Sequence, residues 1–382
     1  MVKHWLSIML MSGNIYVNML TSDFNYELPL ERIAQTPVEP RDHSKLMVVN
    51  RLNKKIVHQH FFNILEYLKP GDLLVWNNSK VFKARLFGDL LSATGEVLRE
   101  HAKPVEIFLI RAMENEGVWK VLAKPGKHVL PGMRVSFASD FFCEVIAKEP
   151  EGTILVQFGD SEEVVRKKAN QYGLIPLPPY VKDEKHEIDI DTYQTVYAKY
   201  EGSVAAPTAG FHFTPELIAK LKAKGIEFAE VTLHVGLGTF LPVKTEKIAD
   251  HTMHAEVVEI PEATAVAINK AKKEGRRVIA VGTTTVRTLE GVARLAAEFS
   301  GRESGHQTWI EPYHGDLNLF ITPGFEFKII DALITNFHLP KSTLLMLVSA
   351  FMGDREFTLD CYRQAVAAEY RFYSFGDAMF IT

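Results

Sequence analysis

The apolar positions of the chain fall into two regimes. Between residues 71 and 158 they form short apolar or alternating runs: Leu73–Trp76, Ala84–Leu91, Val105–Arg111, Val118–Ala123, Arg134–Ala138, Glu144–Lys148 and Thr153–Phe158. Turn signals such as Glu114-Asn115-Glu116-Gly117 and Pro131-Gly132 separate them. Closely spaced short strands of this kind predict a small antiparallel barrel or sandwich. No catalytic constellation stands out inside it.

From about residue 170 the pattern becomes α/β. Thr214-Pro215-Glu216 opens a helix with a capping hydroxyl and a first-turn proline, and Gly225 ends it. Glu227–Leu233 reads as a strand and Pro261–Lys273 as a helix closed by Gly275. Arg277–Val281 is a β-branched strand, Thr285–Phe299 the helix after it, and Asp331–Phe337 another strand. Ser342–Phe351 and Leu359–Arg371 read as helices, the second with Leu359, Tyr362, Val366 and Tyr370 on one face. Strands alternating with helices predict a parallel or mixed sheet covered on both faces. Ahead of these regimes lie a loop, Phe24–Leu30, and an extended segment, Leu46–Asn50.

The 382 residues are 47% hydrophobic and 24% charged, which is globular composition with length for two domains. A net charge of -4 gives no general pull toward nucleic acid, so any RNA contact needs a local basic patch. Cys143 and Cys361 are the only cysteines; a disulfide framework or zinc ribbon is excluded and a cytoplasmic protein expected. No apolar run reaches the roughly 20 residues of a membrane span. Lys3 and Trp5–Met11 imitate a signal peptide, but the run is short and Asn14, Tyr16 and Asn18 follow it. Residues 1–21 are therefore expected to be an extension, with Met19 an internal start.

Candidate chemistry sits in polar loops at strand or helix ends. Ala205–Thr214 is small, polar and carries Thr208 and His212 immediately before a helix start, where free backbone N–H groups favour anions. A close-packed tight loop explains the same composition. Leu233–Phe240, with His234, Gly236 and Thr239, follows a strand directly, but does not fit the dinucleotide pattern. His251, His254 and Glu256 offer a metal cluster if helical, while the alternation of Glu256–Ile260 argues for a strand. In Gly282–Arg287, Thr284, Thr285 and Arg287 suit a carboxylate or phosphate; threonine capping with Arg287 paired to Glu290 is the plainer account. Thr335–Thr343, with Asn336, His338 and Ser342, repeats the same grammar. Tyr370–Met379 interleaves aromatics with Arg371, either to stack a base or to dock a helix. These features alone support an α/β enzyme with a small β domain.

Spelled out, several stretches resemble the S-adenosylmethionine:tRNA ribosyltransferase-isomerase family of queuosine synthesis. They are Phe24–Pro29, Ile33–Gln35, Gly71-Asp72 with Asn77-Asn78 and Ala84–Leu86, Pro176–Tyr180, Tyr193–Tyr197, Ala205–Thr214, Leu233–Phe240, Met253–Glu256, Gly282–Glu290, Thr335–Thr343 and Tyr370–Met379. They run in order from about residue 22 to the end; Val286 departs from an expected small polar residue.

The resemblance implies a large α/β domain of residues 22–70 and 159–382 with a β-barrel inserted at 71–158. It implies transfer and isomerisation of the ribosyl part of S-adenosylmethionine onto 7-aminomethyl-7-deazaguanine at the tRNA wobble position. Epoxyqueuosine-tRNA forms, and adenine and methionine leave. Partners are tRNA and S-adenosylmethionine, a co-substrate; no metal or other cofactor, no membrane and a monomer are expected. His212, His234, His254 and Glu256 are the expected acid–base set. Arg287, Thr284 and Thr285 are expected at the methionine carboxylate, and Asn336, His338 and Ser342 at adenine or ribose. Thr208, Gly236 and Thr239 complete the expected substrate contacts, with Arg85, Arg371 and Tyr373 toward the RNA. A metal-dependent hydrolase using His251, His254 and Glu256 is the alternative; an RNA-binding module and a methyltransferase are the other competing classes.

Overall fold

The computed structural model describes residues 19–92, 94, 96, 104–150, 152–182, 188–236, 243–253, 255–299 and 309–382. The N-terminal extension up to residue 18, Thr239 and His254 lie outside the described residues.

Strands β1 (Lys45–Asn50) and β2 (Lys55–His60) open the chain as a hairpin, followed by β3 (Leu73–Asn77) and the short β4 (Ser79–Val81). Six strands follow: β5 (Arg85–Leu91), β6 (Val105–Ala112), β7 (Val118–Lys124), β8 (Arg134–Ala138), β9 (Phe141–Lys148) and β10 (Ile154–Phe158). β11 (Tyr200–Ser203) returns to pair with β4. The chain then runs through β12 (Glu227–Leu233), β13 (Glu256–Ile260), β14 (Val278–Val281), β15 (Tyr313–Leu317), β16 (Ala332–Asn336) and β17 (Ala378–Ile381). The described helices are α1 (Ile64–Tyr67), α2 (Glu162–Tyr172), α3 (Pro215–Ala223), α4 (Glu262–Lys273), α5 (Thr283–Phe299), α6 (Thr343–Met352) and α7 (Arg355–Ala367).

Nine strands form one mixed sheet in the order β15-β13-β12-β3-β14-β16-β17-β1-β2. β12, β3, β14 and β16 run parallel to one another; β13 and β17 flank them antiparallel. Alternate side chains go to opposite faces, as a pleated strand requires. Leu73, Val75, Ala280 and Leu333 join one core with Ile268 of α4, Leu289 of α5 and α6. Leu74, Trp76, Ile279 and Ile334 join another with Ile64 of α1 and Leu217 and Leu221 of α3. The expected α/β class with helices on both faces is therefore present.

β5 to β10 close into an antiparallel barrel. Val165 and Ala169 of α2 pack into its core, which makes that helix a plug for the barrel. The strand Leu73–Asn77, grouped by sequence with the small β segment, instead lies at the centre of the large sheet. Its residues are buried throughout, the signature of a parallel strand covered on both faces rather than of a half-exposed barrel strand. The barrel thus begins at Arg85, not at residue 71. Among the described residues no helix is long and apolar enough to cross a membrane.

Candidate active site at the sheet edge

Strand direction alone brings distant loops together. The carboxyl ends of β12, β3, β14 and β16 share one edge of the sheet. Antiparallel β13 and β17 bring their amino ends to that same edge, with His234 N bonded to Val257 O and Asn336 opposite Ala378. β1, parallel to β17, delivers Ser44 there as well. His212, His234, Glu256, Thr284, Asn336 and Tyr373 therefore line one border of the molecule. Gly282, at φ +87, turns β14 into α5 and comes close to Ala209 of the 208–212 turn.

One cluster forms around His212. Its Nδ1 is 2.7 Å from Ser44 Oγ and its Nε2 3.2 Å from Asn336 Oδ1. Asn336 Nδ2 donates to Tyr373 O at 2.8 Å, so its Oδ1 is the free acceptor. That fixes the tautomer: Nε2–H donates to Asn336 and Nδ1 accepts from Ser44. Burial pushes the His212 imidazole down to about 4, so it is neutral at physiological pH. Thr208 Oγ1 accepts from Asn336 at 3.5 Å. Tyr373 holds φ +75 and lies 4.0 Å from the Tyr180 ring; its buried hydroxyl has no hydrogen-bond partner among the described residues. Strain and an orphaned phenol at one residue mark a functional candidate.

A second cluster forms around Asn77, fully buried at the end of β3. Its Oδ1 accepts from Ser79 N and Leu233 N, both at 3.0 Å, and its Nδ2 donates to Leu233 O at 3.0 Å and Thr284 Oγ1 at 3.4 Å. Asn77 thus ties β3, β12 and α5 together. Ser79 Oγ stands 2.9 Å from His234 Nδ1, and the ring lies flat against Gly202, where any side chain would collide with it. Burial, with Arg166 and His314 nearby, pushes His234 to about 4. Its Nε2 has no hydrogen-bond partner among the described residues.

Glu256 accepts from Gly236 N at 3.1 Å and is paired with Arg287 Nη1, both side chains being buried. Arg287 Nε donates to Leu319 O at 3.2 Å, and Nη2 is buried with no partner among the described residues. Glu290, a residue sequence offered to Arg287, instead accepts three backbone N–H groups, from Lys328, Ile329 and Ile330, at 2.8 to 3.0 Å. The metal alternative has no support: Glu256 is committed to Arg287, and His251 stands edge-on to Phe320.

Other expected contacts are occupied locally. Thr285 donates to Val281 O, at the end of the preceding strand β14. Ser342 caps α6, accepting from Leu345 N at 3.2 Å. Arg371 donates to Thr36 O and Phe375 O. His338 bonds Thr335 Oγ1 at 2.9 Å, with burial pushing it to about 3. Arg85 stands apart from the sheet edge, on the barrel, paired with Glu106 at 2.7 Å. Ser44, Asn77 and Ser79 were not singled out from sequence as site residues. The signal for Asn77 was present, a polar pair directly ending an all-apolar strand.

Polar loops gathered at the carboxyl edge of a largely parallel sheet define an α/β enzyme. Comparison with known families narrows this: the profile described as queuosine biosynthesis protein matches residues 21–381, and the chain belongs to that family. It is 49% identical over 363 residues to the S-adenosylmethionine:tRNA ribosyltransferase-isomerase of Thermotoga maritima, spanning 95% of this chain and 100% of the relative. The protein of that name from Carboxydothermus hydrogenoformans is 52% identical over 366 residues, spanning 95% of this chain and all of the relative. A crystal structure of an S-adenosylmethionine tRNA ribosyltransferase from Thermotoga maritima aligns at 41% identity with a TM-score of 0.52, covering 94% of this chain and 100% of that one.

Proposed function

We infer that this chain is an S-adenosylmethionine:tRNA ribosyltransferase-isomerase of queuosine biosynthesis. The observation that carries the reading is end-to-end likeness at about half identity to relatives of that name. In detail, the ribosyl part of S-adenosylmethionine is transferred and isomerised onto 7-aminomethyl-7-deazaguanine at the wobble position, giving epoxyqueuosine-tRNA, adenine and methionine. No metal or other cofactor takes part, and the enzyme acts as a cytoplasmic monomer; its two cysteines are free and buried.

The reaction needs a group to take a proton from carbon beside the sulfonium, donors at the departing purine and a neutral amine nucleophile. His234 is the best-placed base, since it is neutral and Nε2 is uncommitted. His212 is a positioning residue that locks Asn336, with both nitrogens already used. Nη2 of Arg287, without a partner among the described residues, is a ready donor for the methionine carboxylate. The Tyr373 hydroxyl, buried and without a partner among the described residues, is a donor for purine or ribose.

The test is incubation with S-adenosylmethionine and tRNA bearing the aminomethyl precursor. Release of free adenine with epoxyqueuosine in the digested tRNA supports the reading. Demethylated co-substrate without adenine excludes it in favour of methyl transfer.

A further inference from the structure

We propose that the cleft between the barrel and the segments 174–181 and 188–190 is a subsite for one unstacked nucleotide of the RNA, separate from the S-adenosylmethionine site. The proposal rests on the functional reading above and deepens it. The cleft has a volume of about 440 Å³, room for a single nucleotide. Leu177, Pro178 and Ile190 give it apolar walls against which a base can lie, while Lys83 and Arg85 face it from the barrel side. Asp189 at the rim can accept from exocyclic amino groups of a base.

The site is built rather than incidental. Arg85 N donates to Leu174 O at 3.2 Å and Leu174 N to Arg85 O at 2.8 Å, which staples the loop to β5. Gly173 permits this approach, since a side chain there would strike the Lys83 and Ala169 carbonyls. Lys83 has no acidic partner among the described residues. Arg85 uses Nε for Glu106, keeping its terminal donors available, and its guanidinium lies 5.6 Å from the ring of Phe87, which is 40% exposed.

Three features favour an RNA chain over the sulfonium nucleoside. Lys83 and Arg85 repel a sulfonium cation and attract phosphate. The exposed Phe87 carries an aromatic and cationic surface out of the cleft, as a polymer needs and a small ligand does not. Tyr180, between the cleft residues Pro179 and Val181, has its hydroxyl 2.7 Å from Ser374 Oγ and its ring against Tyr373. The subsite is therefore one residue away from the sheet edge where the reacting base must lie, which suits a neighbour of that base splayed from the anticodon loop.

The experiment titrates the intact enzyme with an anticodon stem-loop RNA and, separately, with S-adenosylmethionine. Lys83→Ala and the cleft-filling Ile190→Trp are each expected to weaken RNA binding by about tenfold and leave S-adenosylmethionine binding unchanged. Lys83→Ala also lowers the slope of log affinity against log salt by about 0.7, a change that a merely structural role does not produce. Unchanged RNA affinity in either folded variant, or a loss confined to S-adenosylmethionine, overturns the proposal. Should Ile190→Trp not fold, the salt slope of Lys83→Ala decides alone. Adenine release by the wild type is scored in parallel. Its absence would sink the functional reading, whereas adenine release with unaltered RNA titrations sinks only the subsite.

Discussion

The guanidinium of Arg287, in the first turns of α5, is paired with the carboxylate of Glu256, the first residue of β13, and both are buried at the sheet edge. Removing one partner leaves the other charged in a low-dielectric site. Arg287→Ala is expected to destabilise the fold by about 3–5 kcal/mol, and the double variant with Glu256→Ala to recover part of that loss. Denaturant midpoints at constant m-value check both. Arg287→Lys keeps the charge but loses the second arm, so it should weaken S-adenosylmethionine binding more than it destabilises; equal binding would remove Arg287 from the carboxylate site.

His212 makes stability depend on acid. Its proton affinity is about 6.5 when unfolded and falls to about 4 in the fold. Between these values the unfolded chain binds more protons, so stability is complete above pH 6.5, falls as pH drops toward 4, and changes no further from this group below that. The loss is on the order of 3 kcal/mol. Unfolding free energy measured across pH 4–7 should show a shallower slope in His212→Gln. An unchanged slope would mean that the imidazole is not held neutral.

Tyr373→Phe separates structure from chemistry. The phenol is buried without a partner among the described residues, so deleting it should leave stability unchanged or raise it by up to about 1 kcal/mol. If the hydroxyl is kept for substrate, single-turnover rate should fall by about tenfold or more while the thermal midpoint holds. Full activity would assign the orphan hydroxyl to packing alone.

Asn77→Ala tests the staple between β3, β12 and α5. It strands Leu233 N–H and Ser79 N–H in the interior, for a cost of about 3 kcal/mol. Because Ser79 supports His234, turnover should fall further than stability explains, read as kcat at a temperature where the variant is folded.

Much of the fold was legible locally. Thr214 and Ser342 do cap α3 and α6, accepting from Leu217 N and Leu345 N. The short alternating runs after residue 84 are barrel strands, because alternation reports one buried face without needing a partner. Other elements escaped sequence. α2 earns its place by plugging the barrel, β15 by pairing with β13, and β17 by filling the gap between β16 and β1. α7 spans Arg355–Ala367 rather than Leu359–Arg371, because Asp354 caps it by accepting from Phe357 N.

The candidate site divides the same way. Sequence determined which loops carry polar chemistry and where each meets a helix or strand, since caps, glycines and β-branched runs act over a few residues. Only the tertiary structure decided who faces whom: Arg287 with Glu256 rather than Glu290, His212 between Ser44 and Asn336, Leu73–Asn77 in the large sheet. The physical reason is that these partners are brought together by strand direction and burial across dozens to hundreds of residues. Nothing in the neighbouring sequence encodes that pairing.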